Sequence, residues 1–283
     1  MKIVIFGLSK SGTSALFYKV RNSLPACISL FEPVSYGATD RLREHLKALK
    51  RGYLPRHVVA KVLPEGRRPV RLRDFDAFER QVLIVRDPRD RLVSALLYRS
   101  YHADFAPDDA AALEYIALVR RKEADPGAVP LLRLVEAFER LEKTADALDA
   151  WIKRYRTRAV TRPLHFHAER PLLPVFQYED LVDQRFGRLE EIVGFPLSGA
   201  AAVPDNLKRV VRTKGAGAWR NWLTPEDIGV LRPLLAPYME AYYPGGDWDL
   251  SEAPAIRPEH ASLYVTRLID ERRALTGLPP VPA

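Results

Sequence analysis

Cysteine is nearly absent. Cys27 is the sole example in 283 residues, which excludes an internal disulfide and a cysteine-based zinc cluster. It lies between "NSLPA" and "ISLF", where it reads as an inert strand cysteine suited to a reducing, cytoplasmic compartment. Long apolar runs are also missing. Mean hydropathy is −0.20, and nothing approaches the ~20 apolar residues of a membrane-spanning helix, so the expectation is a soluble chain without a transmembrane segment. The opening "MKIVIFG" lacks the length and cleavage site of a secretion signal and reads as a buried first strand. Carboxylates are the minority charge: 36 Asp and Glu face 44 Lys and Arg, a net charge of +8. That excess fits an arginine-rich solvated surface as well as it fits an anionic ligand, and charge alone does not choose. Histidines number six. His165 and His167 alternate in "LHFH" as on a strand face, and no metal site is expected.

What is present is alternation of strand and helix signals, the pattern of a parallel sheet with helices on its faces. Strands are expected at 2–7, "CISLFE" (27–32), "HVVAKVL" (57–63) and "QVLIVR" (81–86), the last being the cleanest buried run. "LLPVFQYEDL" (172–181) returns to strand before a helix that ends at Gly194. A helix follows from about Thr13, with Leu16, Val20 and Leu24 on one stripe. Another runs from Pro88 to about Tyr101, and 108–156 is largely helical with a break near "DPGAVP". Thr224, Pro225 and Asp227 form a strong helix start. The organisation expected is an α/β domain over 1–246, three-layered and P-loop-like with a mostly parallel central sheet, and a 247–283 extension bearing one amphipathic helix. That helix either braces the core or pairs with a second copy in a homodimer.

"FGLSKSGTSAL" (6–16) carries the chemistry. Gly7 and Gly12 have the spacing of a nucleotide P-loop, but the lysine is Lys10, ahead of the second glycine, and Thr13 occupies the Walker lysine position. The first N–H groups of the helix still make an anion site, supported by the hydroxyls of Ser11, Thr13 and Ser14. A second basic element is "RDPRDRLVS" (86–94). Here Arg86 ends the best strand, Asp87 caps the next helix before Pro88, and Ser94 lies two turns on along the same face. A third is "RTKGAGAW", where Arg212 and Lys214 flank backbone made approachable by Gly215 and Gly217.

In this order and separation, "KSGTS", "RDPRDRLVS" and "RTKGAGAWRNWLT" resemble the sulfotransferases that use 3′-phosphoadenosine 5′-phosphosulfate (PAPS). "FQYEDLV" (176–182) and "VGFP" (193–196) also match family segments, so the resemblance spans residues 3 to about 240. It implies transfer of a sulfuryl group from PAPS to an acceptor hydroxyl or amine, releasing 3′,5′-ADP without a metal. By resemblance Lys10 meets the charge on the departing phosphosulfate oxygen, and Ser11, Gly12, Thr13 and Ser14 hold the 5′-phosphate. Arg86, Ser94 and Arg212 hold the 3′-phosphate with Lys214 and the Gly215 amide, and Tyr178 lies near the adenine.

The chain departs from that family in two places. The tryptophan that follows the loop in cytosolic small-molecule sulfotransferases is Ala15 here, so their adenine stack is missing. Their lysine-threonine-histidine-leucine-proline segment finds only "AKVLP" (60–64), in which no histidine appears and Lys61, by the resemblance, keeps the lysine's catalytic role. Glu32, at the end of the second strand, is the first choice for the general base, as in glycan sulfotransferases whose loop also carries alanine; a histidine is the second. The acceptor is a small molecule, a glycan or a lipid-linked group. Two rivals stand beside this reading. A P-loop nucleotide kinase lacks its lysine after Gly12. A basic nucleic-acid-binding module lacks the aromatic-rich basic strand or recognition helix of nucleic-acid readers, so no nucleic-acid partner is expected.

Overall fold

The computed structural model describes residues 1–65, 69–143, 147–205, 209, 212, 213 and 215–282. The expected Lys214 contribution lies outside the described residues. The chain groups into two compact units, 1–86 with 162–208, and 87–161 with 209–283.

The first unit holds the sheet. Strands β1 (Lys2–Gly7), β2 (Cys27–Phe31), β3 (His57–Val62), β4 (Arg80–Val85) and β5 (Val175–Gln177) lie in the order β2-β3-β1-β4-β5. Every pairing is parallel, with Ile5 opposite Lys61 on one side and Val82 on the other. Parallel strands are covered on both faces and therefore read as unbroken apolar runs, as "IVIF" and "VLIV" do. Below the sheet, Ile3, Ile5, Val59, Val82 and Ile84 pack with Leu16, Phe17 and Val20 of α1 (Thr13–Asn22) and with Leu189 and Val193 of α9 (Gly187–Val193). On the alternate face Phe6 meets Phe75 at 6.4 Å and Phe166 of α7 (Arg162–Ala168) at 5.2 Å. The result is a five-stranded, wholly parallel α/β sheet flanked by helices, of P-loop-like type.

Several expected bounds shift. Leu24 falls beyond the end of α1, and β5 spans three residues because α8 (Tyr178–Val182) begins where "YEDL" was expected to stay extended. His165 and His167 lie on α7, not on a strand face. Pro163 occupies the first turn there, and the four-residue spacing sets His165 beside Glu169 at 3.3 Å. Helix α2 (Ala38–Lys50) is an addition to the elements read from sequence.

The second unit is helical. It contains α3 (Pro88–Tyr98), α4 (Asp109–Ala124), α5 (Leu131–Leu141), α6 (Ala147–Arg156), α10 (Trp219–Trp222), α11 (Pro225–Tyr242) and α12 (Ser262–Ala274). The expected helix starts hold: Asp87 accepts from the Arg89 amide at 2.9 Å with Pro88 first in α3, and Thr224 and Asp227 form a reciprocal capping box on α11. The amphipathic tail helix is α12, which buries Tyr264, Val265, Leu268 and Ile269. No helix among the described residues is long and apolar enough to cross a membrane.

Candidate functional site

Strand order decides where the site forms. From β1 the chain passes through α1 to the edge strand β2 and returns by β3, whereas β4 lies on the other side of β1. The segments leaving β1 and β4 thus diverge, and open α/β sheets bind ligands at the carboxyl ends of strands beside such a divergence. The loop 8–12 and Arg86 occupy those two ends.

The loop is tightly built. A Cβ on Gly7 would lie 2.6 Å from the Thr13 methyl and 2.8 Å from the Ile84 carbonyl oxygen, so glycine lets the turn close against β4. Gly12 is left-handed, with φ of 80°, and a Cβ there would fall 2.2 Å from a Tyr178 ring carbon. Lys10 is left-handed too, with φ of 66°. That conformation costs a non-glycine residue about 1–2 kcal/mol, and such strain gathers at functional sites. The loop ends by starting α1, whose first amides have no acceptor within the helix and carry the positive end of its dipole. Ser11 Oγ is enclosed with no hydrogen-bond partner among the described residues.

Arg86 and Tyr178 close on this loop from β4 and β5. The Arg86 guanidinium donates from Nη1 to the Lys10 carbonyl oxygen at 3.1 Å and lies 4.3 Å from the centre of the Tyr178 ring. Arg86 is 5% and Tyr178 7% exposed. The ring therefore meets Gly12 at its edge and Arg86 over its face. Lys10 and Arg86, 76 residues apart, are brought to one place.

A second cluster joins β2, β3 and α1. Lys61 is buried, at 4% exposure. Its Nζ donates to Glu32 Oε1 at 2.6 Å and to Ser14 Oγ at 2.9 Å, and sits 4.0 Å from the Phe31 ring centre. Burial pulls the Lys61 ammonium below the usual lysine range, and the Glu32 carboxylate opposes that pull. Glu32 itself is left-handed, with φ of 53°, and half exposed. The three residues link the candidate base to the first turn of α1. Cys27 is buried and its thiol is pushed up to about 11, which makes it inert at neutral pH.

In the second unit, Ser94 and Arg212 are both buried. Arg212 donates to the His260 carbonyl oxygen at 3.2 Å, and a Cβ on Gly215 would meet nothing within 4 Å. Two residues that the sequence reading did not single out organise this region. Asp90, fully buried on α3, accepts from the amides of Gly217 at 2.5 Å and Trp219 at 2.9 Å. Arg89 brackets the same segment, with its guanidinium 3.7 Å from the Trp219 ring and 4.7 Å from Trp248. The second "RD" of "RDPRD" was the available signal: two adjacent charges in a helix first turn that are too buried to be solvated. Among the described residues no three His, Cys, Asp or Glu side chains gather as metal ligands.

Comparison with known families returns no matching family model and no matching curated protein. Among solved structures, the crystal structure of mouse sulfotransferase SULT7A1 complexed with PAP is similar at 15% identity over 86% of each chain, with a TM-score of 0.46.

Proposed function

We propose that this chain is a PAPS-dependent sulfotransferase, moving a sulfuryl group to an acceptor hydroxyl or amine and releasing 3′,5′-ADP. The observation that carries the reading is the hydrogen bond of Arg86 to the Lys10 carbonyl. It sets Arg86, the first residue of the segment that resembles the 3′-phosphate motif, against the loop that resembles the phosphosulfate motif, at the carboxyl ends of adjacent strands. Enclosed donors without a partner among the described residues, Ser11 Oγ and Arg86 Nε, add support, since each would gain a bond on reorienting towards an anion.

In the proposed reaction, the acceptor oxygen or nitrogen attacks sulfur in line and the bridging S–O bond breaks. The acceptor proton passes to Glu32, and the electron pair of the broken bond stays on the 5′-phosphate. Lys10 stabilises that growing charge, Ser11, Gly12, Thr13 and Ser14 hold the phosphate, and gains come from positioning and from charges set in advance. Lys61 acts by holding Glu32 and Ser14 in register. Ser94, Arg212, Lys214 and the Gly215 amide are assigned to the 3′-phosphate by their sequence correspondence. Tyr178 enters at the adenine side as the support of Arg86, because the guanidinium lies over its ring.

The test is a thermal-shift comparison of 3′,5′-ADP with ADP and AMP, since a ligand that binds only the folded state raises its apparent stability. Stabilisation by the 3′-phosphorylated nucleotide in preference to the other two is expected. Equal shifts for all three, or none, would overturn the donor assignment.

A further inference from the structure

Helix α2 is turned inside out. A soluble helix buries its apolar stripe and exposes its polar one, yet here Leu42, Leu46 and Leu49 are 63%, 49% and 52% exposed. Their spacing of four and three places them on one stripe. The opposite stripe, Asp40, Glu44 and Ala48, is the one set against the body. Asp40 accepts there from Ser35 Oγ at 2.8 Å and from the Gly37 amide at 3.1 Å, and Ala48 is the helix's buried residue. Polar anchoring bonds thus fix the inward face, and the leucines are held outward.

The charges around the leucines are of one sign. Successive residues turn by 100° on a helix, so Arg43, Lys47 and Lys50 flank the leucine stripe on one side and Arg41 and His45 on the other. Four cations over 38–50 face two carboxylates, and both carboxylates lie on the inward stripe. Arg43 and Lys47 reach back to Asp40 at 3.4 Å and Glu44 at 2.7 Å, so the positive charge beside the leucines rests on Arg41 on one flank and Lys50 on the other.

We infer that α2 is a docking face for an anionic lipid surface, with the leucines entering the headgroup region and the flanking cations meeting lipid phosphates. Apolar residues at the centre with basic residues on both flanks is the arrangement that binds in the plane of a membrane interface. A second copy fits poorly. A two-fold pairing of this face would set each cationic flank against its own kind. The inference does not rest on the proposed reaction.

The experiment is co-sedimentation of the full chain with phosphatidylcholine vesicles, with and without phosphatidylglycerol. The wild type is expected to bind the anionic vesicles and to leave the neutral ones, with binding weakened by added salt. Leu42→Gln/Leu46→Gln/Leu49→Gln, at positions already exposed, is expected to keep the melting temperature and lose binding by about tenfold or more. Arg41→Glu/Lys50→Glu should lose the preference for anionic vesicles while leaving the leucines in place. No vesicle binding by the wild type, or equal binding by the triple leucine variant, would overturn the inference. So would a wild-type dimer in light scattering that the leucine variant abolishes, since α2 would then be an interface between copies.

Discussion

Lys10 and Gly12 carry opposite burdens in one turn. Lys10 is a non-glycine residue in a glycine conformation, and the strain is offset by the Arg86 bond to its carbonyl and by closure of the loop on β4. Lys10→Ala keeps that backbone bond and removes only the ammonium. Under the proposed function, sulfuryl transfer falls by about 10²–10³-fold in this variant, with 3′,5′-ADP affinity retained within about tenfold, as read by steady-state rates beside calorimetric titration. Unchanged turnover would remove Lys10 from the chemistry. Gly12→Ala is the structural counterpart. It adds a Cβ 2.2 Å from the Tyr178 ring at φ of 80°, and should lower stability by about 2 kcal/mol or more in chemical denaturation. The glycine spacing and the displaced lysine were readable from the chain. The burial of Lys61 was not, because an alternating strand pattern says which residues share a face but not which neighbours cover it.

At the scale of elements, Asp227 shows how one side chain can serve two helices. It completes the capping box of α11 and also accepts from the amides of Leu131 at 2.8 Å and Leu132 at 2.9 Å, the first turn of α5. Pro130, the residue before α5, supplies no capping side chain of its own. Asp227→Ala would leave buried amides in both helices without acceptors and is expected to cost about 3 kcal/mol or more. Asp227→Asn, which keeps one acceptor oxygen, should cost less, and equal losses would refute the shared-cap account. The box itself was legible as "TPED". Its second client, 96 residues away, was not, because capping patterns report neighbours in sequence only.

At the scale of the whole molecule, Lys122 on α4 is an ammonium taken out of water. It is fully buried, donates to the Pro126 carbonyl oxygen at 2.5 Å, and is pushed down to about 8 by burial, with Asp227 and Asp125 opposing. The unfolded chain holds this proton up to about pH 10.4. Between about 8 and that value the unfolded state binds more protons, so this group's contribution to stability rises with pH. The stability of the wild type relative to Lys122→Met should therefore improve by about 2 kcal/mol between pH 7.5 and 10, measured by urea denaturation at each pH. A difference that does not change with pH would mean the ammonium is better solvated than its surroundings indicate.

By itself the sequence determined the alternation of buried strands and helices, the glycine-spaced loop with its early lysine, and the caps before α3 and α11. Each of these is written in residues a few positions apart, where steric and hydrogen-bonding preferences act locally. The tertiary structure alone decided that β4 lies beside β1, which carries Arg86 onto the Lys10 loop. It alone decided that Lys61 turns inward to Glu32, that Asp90 holds the amides of the late glycine segment, and that α2 faces outward with its leucines. Those outcomes depend on strand order and on which surfaces cover one another, and both are set by long-range packing that no local pattern encodes.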